Sequence, residues 1–401
     1  MEFTNKEIRV GESLINPQQG EIAGELVQIA GEYFYKISNY DSMSPFFMTL
    51  VSPGNQWLFI ASNGGMTAGR KNAQSSLFPY YTVDKLIDST ERTGAKSLLR
   101  IKRNDQWHLW EPFSGRYLGL YKTERNLYKN KLGNKIIFEE INYDLQLRLS
   151  YSWQFSNDYG FVLQHHLKNL ADEALEVEML SGVQNILPSG VNPFLQSTQS
   201  TLVDAYRKNE LDQETGLGIF SLSSIIVDRA EPSEALRANV VWSKGLAAQN
   251  TLLSIAQLDA FRKGQAIRTE SDLKATKGAY LSHARFKMSG RSTEKWQLIA
   301  DVDQSVKQVS NLRHALKTRT GLDDAVDQSL QQSSYQLWRL VAWADGCQSA
   351  EHPFTTGRHF SNVLYNIMRG GIFESGYTIY LDDFIQYAKN INRPLFREQA
   401  S

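Results

Sequence analysis

The feature that most limits what this chain can fold into is a change of period. Through the first three quarters, short aromatic and β-branched runs recur between Gly, Asn, Asp and Pro. After residue 301 the apolar residues fall at helical spacing instead. Runs of the first kind are Glu32–Ile37, Gln56–Ala61, Lys96–Arg103, Gln106–Glu111, Lys135–Tyr143 and Leu145–Phe155. Asn104-Asp105 supplies a two-residue turn, so the strands on either side of it are expected to form a hairpin. Gly160–Leu170 and Ala174–Leu180 read as another hairpin, joined by Asn169–Glu173. In it Leu175, Val177 and Met179 alternate with Glu176 and Glu178, one buried face and one wet face. Further strands are expected at Leu217–Asp228, Ala235–Trp242, Asn250–Leu258 and Gly278–Met288. Antiparallel strands with short turns over about 280 residues predict a large sandwich rather than a small barrel.

Four helices are expected beyond it. Val302, Val306, Val309, Leu312 and Leu316 mark the first, and Leu330, Leu337, Val341 and Ala344 the second, after Asp323-Asp324. Phe360, Val363, Leu364, Ile367 and Met368 mark a third that ends at Gly370-Gly371. A fourth carries Leu381, Phe384, Ile385, Ala388 and Ile391 and stops before Pro394. Such faces must close on each other, pack on the sandwich, or open a larger helical domain. Trp338, beside the apolar stripe, is expected in the core, and Trp343 at a lid or interface. The predicted organisation is a sandwich over 1–300, a helical linker over 301–350, and the first helices of a further, truncated helical domain over 351–401.

The totals exclude several classes. Forty-three basic and 43 acidic residues cancel, which removes the electrostatic case for nucleic acid or an anionic membrane as partner. The single cysteine, Cys347, excludes an internal disulfide and a cysteine zinc cluster, and a cytoplasmic protein is expected. Met1–Glu12 carries no apolar core of a signal peptide, and no apolar run reaches membrane-spanning length. No P-loop, dinucleotide fingerprint or Gly-x-Ser-x-Gly is present, so no cofactor or metal is expected.

The stretch with most chemical character is Asn63-Gly64-Gly65-Met66-Thr67-Ala68-Gly69-Arg70, followed by Leu77–Lys85. Its glycines permit positive φ and uncovered main-chain N–H groups. Flat Tyr faces beside polar forks suit a sugar, with its apolar CH faces and rim of hydroxyls. The candidate substrate-binding residues are Asn63, Gly64, Gly65, Arg70, Asn72, Tyr80 and Tyr81. The competing reading is a glycine-rich turn followed by a buried strand. Asp84-Lys85 reads as an ordinary strand-end pair. His165-His166, adjacent in a strand, point to opposite faces, which defeats a metal site built from these two alone. Glu139-Glu140 and Glu176/Glu178 read as wet faces, and Asp323-Asp324 and Asp382-Asp383 as helix starts. No catalytic residue can be named.

Four stretches carry a family resemblance: Asn63–Lys85, Leu180–Pro188, Trp296–Val302 and Asn362–Gly371. With the order of sandwich and then helices, the chain resembles the N-terminal region of glycoside phosphorylases of the cellobiose phosphorylase type and related hydrolases. The resemblance implies a β-supersandwich of the galactose-mutarotase-like type, linker helices, and the start of an (α/α)6 barrel. It also implies that a catalytic Asp and a phosphate site lie in a helical domain missing from this chain. An oligosaccharide or sugar phosphate as ligand, inorganic phosphate as co-substrate and a homodimer belong to the same implication. By resemblance, Arg70 and its neighbours would reach a sugar site, so Arg70→Ala is expected to weaken binding and leave the fold unchanged. The loop here departs from the family's aromatic-rich version, which points away from cellobiose itself. Three other classes remain: a carbohydrate-binding module, a structural or oligomerisation domain, and a stand-alone sugar mutarotase. The last needs a His and a carboxylate converging on one sheet.

Overall fold

The computed structural model describes residues 7–16, 20–226, 233–372 and 378–391. The strands, in chain order, are β1 (Arg9–Val10), β2 (Ser13–Leu14), β3 (Ala23–Ile29), β4 (Glu32–Ser38), β5 (Phe47–Leu50), β6 (Gln56–Ala61), β7 (Met66–Arg70) and β8 (Ser75–Ser76). They continue as β9 (Gly94–Arg103), β10 (Gln106–Trp110), β11 (Thr123–Asn130), β12 (Ile136–Asn142), β13 (Leu147–Ser156), β14 (Gly160–Asn169) and β15 (Leu175–Ile186). The last are β16 (Arg207–Asp212), β17 (Leu217–Leu222), β18 (Arg237–Lys244), β19 (Asn250–Leu252), β20 (Asp272–Lys274), β21 (Gly278–Met288) and β22 (Thr293–Ser305). Short helices α1 (Val83–Asp88), α2 (Pro193–Thr198), α3 (Ser200–Tyr206) and α4 (Leu258–Arg262) interrupt them. Four longer ones follow: α5 (Val306–Thr318), α6 (Leu322–Trp343), α7 (Pro353–Gly370) and α8 (Leu381–Ile391).

Eleven strands make one antiparallel sheet in the order β20-β16-β17-β18-β22-β14-β13-β12-β11-β4-β3. A five-stranded sheet, β10-β9-β15-β21-β19, and a four-stranded one, β5-β6-β7-β8, contribute to the core against its inner face. The inward set of β13 shows why: Leu147, Leu149, Tyr151, Trp153 and Phe155 alternate and are all buried. They meet Met179 and Val177 of β15, Leu99 of β9 and Met66 and Ala68 of β7 in one core. Each large apolar side chain so buried contributes about 1.5–3 kcal/mol. The mainly β architecture with large antiparallel sheets agrees with the expected sandwich.

The β9–β10 hairpin forms as expected, with Arg103 opposite Gln106 and positive φ at Asn104 and Asp105. The expected β14–β15 hairpin does not form. β14 pairs with β13 and β22, and β15 pairs with β9 and β21, so residues 170–174 carry the chain from one layer to the other. Both strands have a strongly apolar set, and facing each other across the core buries both sets. The run at 250–258 is a strand only to Leu252, and that at 217–228 only to Leu222; Val227 and Asp228 lie outside the described residues.

Val302 belongs to β22 rather than to a helix. Helix α5 starts at Val306 behind a capping box of Ser305 and Gln308. Two compact units divide the chain, Met1–Ser333 and Ser334–Ser401. In the first, α5 and the early part of α6 bury Leu316, Leu322, Val326 and Leu330 against Val162, Val240, Trp242 and Ile299 on the outer face of the large sheet. In the second, α7 ends at Gly371 as expected, with Phe360 and Leu364 buried. Helix α8 has no buried residue. Trp338, expected in the core, is 43% exposed, and Trp343 is 50% exposed. Pro394, expected to stop α8, lies outside the described residues.

Candidate functional site

Antiparallel register aligns the outward side chains of the large sheet into rows across strands. One row reads Asn126, Glu139, Ser150, His166 and Lys295 on β11, β12, β13, β14 and β22. The next reads Tyr128, Ile137, Ser152, Gln164, Gln297 and Lys244. Helices α5 and α6 cover the apolar part of this face around Val162 and Ile299 and leave the two polar rows as a floor. The early part of α6 walls one side, making a cleft of roughly 540 Å³ lined by Gln154, Gln164, Gln297, Lys244, Asp323 and Asp327.

Most of the floor is tied into hydrogen bonds. Lys244 Nζ donates to Asp323 O at 2.7 Å and pairs with Asp327 at 3.1 Å. Gln297 Nε2 donates to Asp327 at 3.2 Å. Glu139 accepts from Tyr128 Oη at 2.7 Å and Asn126 Nδ2 at 3.2 Å, with Arg148 at 3.5 Å. Burial and then the Glu139 charge push the Tyr128 phenol well above its ordinary pKa, so it stays a donor. Burial, then Lys295 and Arg148, lower the pKa of His166, so its ring is neutral at pH 7.

Three buried polar atoms on this floor have no partner among the described residues: Asn126 Oδ1, His166 Nε2 and Gln297 Oε1. Asn126 and Gln297 are 1% and 7% exposed. An amide, imidazole and hydroxyl floor with open acceptors suits a molecule rich in hydroxyls, each of which both donates and accepts.

The glycine-rich stretch is a turn followed by a strand, the competing expectation. Gly65 is buried, and a Cβ there would meet Leu86 O at 2.1 Å; a Cβ on Gly69 would meet Ser75 O at 2.4 Å. Asn63 donates to Ile87 O at 3.0 Å, holding α1, and Gly64 takes φ 87° beside it. Arg70 spends four of its five donors inside the protein: two on Asp301, at 2.6 and 3.2 Å, one on Asn55 and one on Asn157 O. Asn72 is exposed and accepts from Gln74 N in a local turn. Tyr80 lies edge-on to Trp57, while Tyr81 lies beside Asn185, and burial raises its phenol pKa. The seven candidates therefore do not converge on one ligand position. Asp84, expected at a strand end, lies in the first turn of α1 and is bonded to Thr82.

The expected wet face at Glu139-Glu140 is buried on both sides of its strand. Glu140 points inward and accepts from Trp110 Nε1, Phe113 N and Arg125. Glu176 and Glu178 pair with Arg285 and Arg100 respectively. Among the described residues no three His, Cys, Asp or Glu gather as a metal site, and no helix is long and apolar enough to cross a membrane. The floor escaped sequence reasoning because Ser150, Ser152, Gln154 and Gln164, His166, Lys168 alternate just as solvent-facing residues do. Only the register between strands shows that they line up.

No protein-family model and no curated protein sequence matches the chain. Among solved structures it is similar to a bacterial glucoamylase complexed with acarbose, at TM-score 0.41 and 6% identity, over 82% of this chain and 40% of that one. It is similar to a human-microbiome protein provisionally named a kojibiose phosphorylase, at TM-score 0.35 and 8% identity, over 83% of this chain and 35% of that one. A third is an aldose epimerase homologue from C. elegans, at TM-score 0.35 and 8% identity, over 65% of this chain and 100% of that one. The chain thus spans less than half the length of the first two.

Proposed function

We propose that this chain is the sugar-holding sandwich of a carbohydrate-active protein, with the ligand lying on the outer floor of the large sheet. The observation that carries this reading is the set of three buried, unpartnered polar atoms on that one face, Asn126 Oδ1, His166 Nε2 and Gln297 Oε1. A buried polar atom left without a partner costs about 1–3 kcal/mol. His166 and Gln297 stand on adjacent strands, so the hydroxyls of one sugar would satisfy that pair, while Asn126 lies three strands from His166. In this reading the protein's glycosidic chemistry, with phosphate or water attacking, belongs to a helical catalytic domain outside this chain. A cytoplasmic homodimer is part of the same reading. Calorimetric titration with gluco-, galacto- and manno-disaccharides, with and without phosphate, tests it. Saturable binding is expected, weakened about tenfold by Gln297→Ala, a loss of about 1.4 kcal/mol. An absence of heat with every sugar would sink it and favour a purely structural domain.

A second reading is favoured by one juxtaposition. His166 and Glu139 share a row with only Ser150 between them, about 10 Å apart at their Cα atoms from the strand spacing. A neutral His166 can take the proton of an anomeric hydroxyl while the Tyr128–Glu139 pair returns one to the ring oxygen as the C1–O5 bond opens. Polarimetry of freshly dissolved α-glucose and α-galactose decides: equilibration no faster than in buffer rules out mutarotation.

A further inference from the structure

Positive side chains gather at one end of the floor. Lys295 stands directly across from His166, Lys168 follows two residues along the same strand, and Arg148 is the cross-strand partner of Lys168. All four project to the same face. Of the other lysines on this face, Lys36 pairs with Glu25, Lys135 with Glu32, Lys208 with Glu210 and Lys244 with Asp327. Lys168 and Lys295 make no ion pair or hydrogen bond among the described residues. Among the described residues the Arg148 side chain reaches only Glu139, at 3.5 Å, and that carboxylate is already shared with Tyr128 and Asn126. Two unpaired lysines and an arginine therefore stand together at this corner; Lys295 also borders the cleft that holds Asp323 and Asp327, and Glu124 shares the cross-strand row of Arg148 and Lys168.

This corner adjoins His166, whose Nε2 has no partner among the described residues; Lys295 lies one step along its strand from Gln297, and Lys168 two steps from Gln164. Outward residues two apart on a strand are separated by about 7 Å, a distance that a pyranose ring with its exocyclic carbon spans. We infer that the ligand of this face is an anionic sugar, its phosphate or carboxylate lodged among Arg148, Lys168 and Lys295 and its hydroxyls on Gln164 and Gln297. The inference rests on the carbohydrate reading above and names the substrate class for it. A phosphate and a uronate carboxylate offer the same anionic oxygens to these cations, and the experiment separates them.

The test titrates the full chain with hexose 6-phosphates, hexose 1-phosphates, hexuronates, the neutral hexoses and inorganic phosphate, at about 50 and 300 mM salt. A charged sugar is expected to bind at least about tenfold tighter than its neutral parent, and less so at high salt. The double variant Lys168→Ala/Lys295→Ala should erase that preference and leave neutral-sugar affinity within about twofold. Both lysines stand on the open face, so the variant is expected to melt with the parent protein. Whichever of phosphate and carboxylate binds tighter identifies the anion. Equal affinity for charged and neutral sugars overturns this inference and leaves the carbohydrate reading standing. Inorganic phosphate binding as tightly as any sugar phosphate, with Gln297→Ala silent, overturns both in favour of a bare anion site. No binding by any of these compounds also overturns both.

Discussion

His165 and His166 are neighbours in sequence and opposites in structure. His165 faces inward, fully buried, stacked on Trp296 at 4.9 Å with 7° between the ring planes. His166 faces outward, half-buried, in a row with Glu139, Ser150 and Lys295. The same contrast recurs on β13 and β14 beyond the helix-covered Val162: Leu163 inside and Gln164 outside, Trp153 inside and Gln154 outside. The difference teaches that this sheet separates two tasks. The inner face supplies stability, and the outer face, where burial is partial and polar atoms stay open, can hold a ligand.

The largest effect that tests the contrast is in acid. Burial, then His166, lower the pKa of His165 from 6.5 to about 3. The unfolded state therefore binds a proton that the native state refuses, and stability falls as pH drops from 6.5 toward 3. The full loss is about 5 kcal/mol, at about 1.4 kcal/mol per pH unit. Urea melts between pH 7 and 5, above the range where carboxylates titrate, should show this slope. His165→Gln should flatten most of it and His166→Gln less. Equal flattening by the two variants would break the contrast between faces.

Next in size is Arg70, which the sequence placed at a ligand and the structure places on Asp301. Arg70→Ala leaves a buried carboxylate without its cation and should cost about 3–5 kcal/mol at pH 7. Burial already raises the Asp301 pKa against the pull of Arg70, and removing Arg70 raises it further. The cost should therefore shrink as pH falls through that raised value and Asp301 takes a proton. A variant as stable as the parent but unable to bind sugar would return Arg70 to the ligand site.

A smaller and cleaner comparison sets adjacent residues of β14 against each other. Leu163→Ala should destabilise by about 2–5 kcal/mol through the cavity it leaves. Gln164→Ala should change stability by less than about 1 kcal/mol and weaken sugar binding instead. Chemical denaturation and calorimetry on the same two proteins give both numbers, and a large stability loss at Gln164 would make the outer face part of the structure rather than a site.

Much of the architecture was legible in advance because its causes are local. Period-2 runs gave the strands, Asn104-Asp105 gave the β9–β10 turn, and Gly370-Gly371 gave the end of α7. Alternation alone placed the two histidines on opposite faces. Local signals failed where the deciding partner was remote. The β14–β15 link has the composition of a hairpin, yet it crosses between layers, because the choice lies in which strands flank each partner. Arg70 meets a carboxylate 231 residues away, and no spacing rule reports such a contact. The floor is assembled from β11, β12, β13, β14, β18 and β22, each contributing a polar residue that is ordinary on its own strand. Sequence by itself determined which residues could line one face of one strand, since backbone geometry fixes that alternation. Only the tertiary structure decided which strands lie side by side, because pairing is set by burial summed over the whole sheet, and that pairing gathered scattered polar residues onto one face.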